Sequence, residues 1–383
     1  MSKIDWKRIY KRYYPLLDRL GSRSEYSDLI WEMQGELGTS HCYEFGGDYR
    51  PHGSFSMGKL GCTYKSAPSG KYWIIEKILY GDATDTNETS PLLRAGAGIS
   101  EGTHLIAING ELVNAEKHPR ELLLNLGGQE ITLTVRESGK RKTRDVAVKT
   151  LKLEGKLLYR NWVENNRRYV HEKGKGKIGY VHIPDMGKRG YAEFHRYWLV
   201  ENRYDALIVD VRYNGGGHVS QLLLEKLARR TIGYDITRWS KTPETYPSDT
   251  VAGPIVAVTN EYAGSDGDIF SHSFKLMKIG KLIGKRTWGG VIGINGQYSF
   301  ADGSMTTQPE YSFWFKDVGW GVENYGTDPD IEVDMTPQDY VARRDPQLDK
   351  ALSVVLNEMK KNPVVKPKFD KRPNLSLPKI PKK

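Results

Sequence analysis

The 383 residues predict an α/β (α+β) protein with a helical N-terminal region, an inserted β-rich segment and a larger domain on a buried sheet. Three observations carry that expectation. Apolar residues recur at helical spacing between Ile9 and Met33. Short runs of alternating, β-branched character dominate from about Gly58 to Thr150. Beyond Lys177, nearly continuous apolar runs alternate with helical stretches, as in a sheet buried on both faces.

Taken in order, Ile9, Tyr10, Tyr13, Leu16, Leu17 and Leu20 mark one amphipathic helix. A second carries Tyr26, Leu29, Ile30 and Met33, with Ser24 as the expected N-cap and Gly35 and Gly38 at its end. The polar cluster Thr39-Ser40-His41 follows directly, on a loop held by that scaffold. In the β-rich part, strands are expected at 73–78, 104–108 and 130–135. Asn109-Gly110 is a two-residue hairpin signal, and Lys140-Arg141-Lys142 reads as a solvated hairpin turn. A helical linker spans about 153–172. After it come strands at 177–183, 206–211 and 255–259, with helices over 191–202 and 219–230 between them.

Composition narrows the function classes. No apolar run approaches the ~20 residues of a membrane helix. The N-terminal stretch Met1 to Arg8 lacks the apolar segment of a secretory signal, so a cytoplasmic location is expected. Cys42 and Cys62 make neither a disulfide framework nor a metal-ligand spacing. The net charge of +10 suggests nucleic acid at first sight. However, 366–383 carries seven cations against Asp370, which is +6, and four prolines that forbid a regular helix. A flexible basic tail on a mildly basic body is therefore expected, with no nucleic-acid partner.

Two strand ends carry chemistry-bearing residues, and strand ends are where such sheets place their sites. Asn214-Gly215-Gly216-Gly217-His218 follows the 206–211 strand. Its glycines let backbone N–H groups converge on a developing negative charge, or simply make a turn before the next helix. Ser265, between Gly264 and Gly267, follows the 255–259 strand and enters a helix. It reads as a nucleophile on a tight turn, with the N–H of Asp266 beside any oxyanion, or as an ordinary N-cap. The sequence lacks the GxSxG elbow of the α/β-hydrolases. A nucleophilic serine needs a base, and His41, His182, His218 and His272 are candidates among nine histidines. Cys42 is not favoured as a nucleophile, because neighbours in an extended loop point apart.

The phrase "SPLLRAGAGISEGTHLIAINGELV" resembles a PDZ domain, a fold that binds extended peptides along a sheet edge. Its carboxylate-binding loop would fall near Lys59-Leu60-Gly61. Six further phrases are similar, in order, to the C-terminal half of the tricorn proteases of peptidase family S41. They are "SEYSDLIWEMQGELGTSHCYEFGGDYR", "LIVDVRYNGGGHVSQLLLEKL", "VTNEYAGSDGDIFSHSFK", "GKRTWGGVIGI", "TQPEYSFWF" and "VENYGTDPDIEV". The C-terminal processing peptidases, which pair serine with lysine, are more distant relatives.

That resemblance implies a crotonase/caseinolytic-protease-like sheet domain. The implied domains are a helical part at 1–57, a PDZ-like domain at 58–152, an α/β protease domain at 153–363 and a basic tail at 364–383. It also implies a Ser-His-Ser-Glu tetrad: Ser265 as nucleophile, His41 as base, Ser40 orienting the histidine and Glu323 completing the relay. Gly217, with Gly216 as the alternative, and Asp266 would form the oxyanion hole. Asp235 would recognise a basic P1 side chain from a neighbouring subunit. The implied protein is a serine endopeptidase acting on peptides, homo-oligomeric and hexameric, with no metal or cofactor. Family members carry two β-propellers ahead of this region, for which these residues leave no room. A truncated form, one subunit of a split protein or a fragment is therefore implied. Rival readings are a non-catalytic PDZ-type peptide-binding scaffold and a crotonase-like acyl-CoA enzyme.

Overall fold

The computed structural model describes residues 4–48, 55–296, 298–370 and 374–378. It divides into two compact units, one of residues 1–49 with 169–383 and one of residues 50–168.

The larger unit is organised by five parallel strands in the order Ile331–Glu332, Gly280–Gly284, Ile255–Thr259, Ala206–Asp210 and Ile178–His182. Every residue of the 178–182, 206–210 and 255–259 strands is buried, which is why their sequences are unbroken apolar runs. Parallel pairing requires crossovers, here made through helices Lys188–Glu201, Ser220–Ala228 and Asp266–Leu276. Each strand therefore points its C-terminal end the same way. The Asn214–Gly217 loop and Ser265 both follow such ends, on the adjacent 206–210 and 255–259 strands.

Two N-terminal helices, Trp6–Tyr13 and Arg23–Gly35, pack through Ile9, Tyr13 and Leu29. Pro15 falls where the first α-helix gives way to a 3-10 segment, Tyr14–Arg19. The second helix is capped by Ser22 and not by Ser24. The Ser22 hydroxyl accepts from Glu25 N–H while the Glu25 carboxylate accepts from Ser22 N–H. Ser24 lies two residues too late, inside the first turn of the helix. Beyond it, Glu44–Phe45 pairs with Met305–Thr306, and Arg23 bridges Glu44 and Asp302. The residues just after the polar cluster are thus sewn to a segment some 260 positions away.

The smaller unit is an antiparallel sheet in the order Cys62–Ser66, Trp73–Ile78, His104–Ile108, Glu130–Arg136 and Arg144–Lys149. Leu105, Leu133, Val135 and Ile75 form its core. Asn109 and Gly110 both take positive φ in the expected hairpin to Glu111–Leu112. The Lys59 N–H and C=O are committed to Leu151. The C=O groups of Leu60 and Gly61 accept from the Ser90 hydroxyl and Leu79 N–H.

The helix expected over 153–172 runs Gly155–Lys173. In the basic tail, residues 371–373 and 379–383 lie outside the described residues, and 364–370 and 374–378 form no helix or strand.

Candidate active site

Ser265 sits between strand and helix with φ 57 and ψ −121, a backbone region that a side chain makes strained. Its position is the N-cap, yet its hydroxyl makes no cap hydrogen bond. Asp268, three residues on, stands in the first turn of the following helix, and the Ser265 backbone N–H favours its charged form. The hydroxyl is left free for chemistry, so the plain N-cap reading of this serine does not hold.

Asn214 fastens the glycine loop to this turn. Its C=O accepts from Gly264 N–H at 3.0 Å, and its side-chain oxygen accepts from Gly216 N–H at 2.9 Å. Gly216 N–H is therefore occupied. Among the described residues no acceptor meets the N–H of Gly217 or of Asp266. Those two are the donors available to an oxyanion. Steric limits explain the glycines: a Cβ on Gly216 would fall 2.5 Å from Ser265 Cβ, and one on Gly217 would fall 2.1 Å from the Met186 carbonyl oxygen. The Asp266 side chain reaches Ser220 N–H and hydroxyl at the start of the next helix, tying the two donor segments together. Burial raises the Asp266 carboxyl above its ordinary value.

Ser40, His41 and Glu323 form a second cluster in the same unit. Ser40 Oγ lies 2.8 Å from His41 Nδ1 and 3.1 Å from Glu323 Oε2. Glu323 also accepts from the backbone N–H of Ser40 at 2.6 Å, Val291 at 2.7 Å and Ile292 at 3.0 Å. The hydroxyl has a single hydrogen, and a carboxylate can only accept. That hydrogen goes to Glu323, so Ser40 Oγ accepts from His41 Nδ1–H. Nε2 is then the bare, basic nitrogen. Burial lowers the His41 pKa, while the charge of Glu323 acts to raise it.

His41 has φ 60, a second strained backbone position. The 38–43 loop is held there by Asn324 on the Gly38 carbonyl, and by Thr307 hydroxyl on the His41 carbonyl. Trp288 links the clusters: its ring meets His41 edge-on at 5.2 Å, and a Cβ on Gly264 would fall 2.8 Å from it. Among the described residues no hydrogen bond joins His41 to Ser265. In substrate-free sites such bonds are often long and tighten on binding.

The remaining sequence candidates lie elsewhere. His182 is buried against the Arg212 carbonyl, His272 pairs with Asp317, and His218 lies near Tyr311 hydroxyl. Burial pushes the Cys42 thiol up, away from thiolate chemistry. Asp235 is exposed on a hairpin, Gly233–Asp235 with Glu244–Tyr246. Its neighbour Tyr234 lies near Asp205, at the N-terminal end of the sheet and opposite to Ser265. No cluster of three or more metal-ligating side chains occurs among the described residues. Asp268, Trp288 and the clasping role of Asn214 were not expected from the sequence, although Ser265-x-x-Asp268 has the spacing of a capping box.

The chain is similar in sequence and fold to known proteins. The model of peptidase family S41 matches residues 177–333, the tricorn protease PDZ domain matches 58–152 and the tricorn protease C1 domain matches 1–35. The chain belongs to peptidase family S41, in its tricorn branch. It is 46% identical to the tricorn protease of Thermoplasma acidophilum, over 92% of this chain and 33% of that one. It is 49% identical to a putative tricorn-like protease C-terminal subunit of Sulfurisphaera tokodaii, over 93% of this chain and 41% of that one. A crystal structure of the tricorn protease superposes with a TM-score of 0.87 at 46% identity, covering 92% of this chain and 34% of that chain. The fold class and PDZ domain expected from the S41 resemblance are thus borne out. The chain spans about a third of the length of the Thermoplasma acidophilum tricorn protease. No helix among the described residues is long and apolar enough to cross a membrane.

Proposed function

We propose that this chain is the catalytic part of a tricorn-type serine peptidase that hydrolyses peptides through Ser265, His41, Ser40 and Glu323. The observation that carries the reading is the relay from Glu323 through Ser40 to His41 Nδ1, which leaves Nε2 basic. His41 takes the Ser265 proton as the hydroxyl attacks the scissile carbonyl, then returns it to the leaving amine. The transient imidazolium is stabilised through the Ser40 hydroxyl by Glu323. The N–H groups of Gly217 and Asp266 receive the oxyanion, as two donors aimed at one point by the glycine loop and a helix N-terminus.

Asp235 is the proposed partner of a basic P1 side chain. Its place at the far end of the sheet means that another copy of the chain must supply it, so a homo-oligomer belongs to the same proposal. A cytoplasmic location is proposed with it. A fluorophosphonate probe tests the assignment. Mass spectrometry should find the adduct on Ser265, with no labelling of Ser265→Ala; an adduct elsewhere, or none, contradicts it.

A further inference from the structure

The buried carboxylate of Asp268 is absent from the proposed relay, yet it joins two parts of the site. It accepts the N–H of Gly289 at 2.8 Å and of Gly290 at 3.2 Å, and it stands in the first turn of the helix that opens after Ser265, the strained residue itself, whose backbone N–H favours the charged carboxylate. The Thr287 side chain, whose oxygen accepts from Thr327 N–H, also favours the charged carboxylate. Asp268 is fully buried, and Gly289 has φ 93, close against the backbone of Tyr325 and Gly326. Between Thr287 and Gly289 stands Trp288, whose ring packs on His41 and on Gly264. One carboxylate therefore fixes both the nucleophile turn and the wall that locates the base.

We propose that Asp268, as its carboxylate, is the positioning residue that brings Ser265 and His41 into register. The proposal rests on the reading of Ser265 as nucleophile. A protonated carboxyl or an amide has fewer lone pairs for these donors and presents a hydrogen of its own to one of them. The loop and the turn then separate. Burial already moves this carboxyl up to about 6, so its protonation falls inside the working range of a histidine base. Other titratable groups face the site. Asp266 and His272 lie on the same helix, with Asp266 raised by burial. On the Trp288 loop the flanking groups are Lys285, paired with Glu332 and Asp334, and Arg286, stacked on Tyr325. Glu323 holds the next two N–H groups, and His41 lies across the indole.

The test is the rate of Ser265 labelling by a fluorophosphonate between about pH 4.5 and 8, in the wild type and in Asp268→Asn. Misplacement by about 1 Å costs roughly 100-fold in such steps, so the variant should label about that much more slowly at pH 8 with a native circular-dichroism spectrum. Its acid limb should also follow one proton fewer than the wild type's. Wild-type rates from a variant with an unshortened acid limb overturn the proposal. Should the variant fail to fold, the wild-type profile still decides: two or more protons support the proposal, and a one-proton limb overturns it. Absence of Ser265 labelling in the wild type at every pH would instead overturn the nucleophile assignment.

Discussion

At the scale of single residues, the site is a set of hydrogens assigned by count. Ser40 has one to give and Glu323 already receives three from the backbone, so the histidine tautomer follows. Glu323→Gln removes the acceptor-only partner and lets the amide donate to Ser40, which can reverse the relay. A wrong tautomer in a comparable triad lowers kcat by about 10⁴, and a fall of roughly 10³–10⁴ is expected here. Because the Glu323 charge raises the His41 pKa, its loss should also move the acid limb of kcat/KM to lower pH. A pH–rate profile of the variant checks both. Asp268 carries a stability signature of its own. Burial lifts its folded pKa to about 6, above the ordinary range of a free aspartate. The contribution is complete below about pH 4 and is lost as pH rises through about 6, an amount of about 3 kcal/mol. Denaturant titrations should show wild-type stability falling by up to that much relative to Asp268→Asn between pH 4 and 7.

At the scale of elements, strands and loops divide the work. The three all-buried strands were legible because burial on both faces writes an unbroken apolar run. The two-residue hairpin was legible because positive φ at both positions selects Asn-Gly. The helix start at Ser22 was misread because Ser22 and Ser24 offer equal side chains, and only the reciprocal bond to Glu25 separates them. Within the site, the strand ends pointed to Ser265 and the glycine loop. Ser40, His41 and Glu323 were reached through resemblance, since their bonds join positions 283 apart and local spacing is silent on that. The glycine loop makes a clear prediction. Gly216→Ala places a methyl 2.5 Å from Ser265 Cβ and at φ 78, so peptide hydrolysis should fall by about 100-fold or more. Ser22→Ala should instead cost about 1 kcal/mol of stability, read by thermal unfolding, with catalysis little changed.

At the scale of the whole molecule, the relay joins the two ends of the sequence across the inserted unit. The N-terminal loop brings Ser40 and His41, and the loops after the 280–284 strand bring Trp288 and Glu323. Asp235 lies at the other end of the sheet, so under the proposed function a basic P1 preference would belong to an assembly and not to one chain. Mixing inactive Ser265→Ala with Asp235→Asn should therefore restore cleavage after Lys or Arg in mixed oligomers. Steady-state assays of the mixture should exceed the sum of its parts; strict additivity would place the specificity group within each chain. The central claim, that this constellation is a peptidase site, is tested most directly by hydrolysis of short Lys- and Arg-containing peptides by purified wild type and Ser265→Ala. Turnover is expected from the wild type, with a loss of about 10⁶ in kcat in the variant. Equal turnover by the two proteins would contradict it.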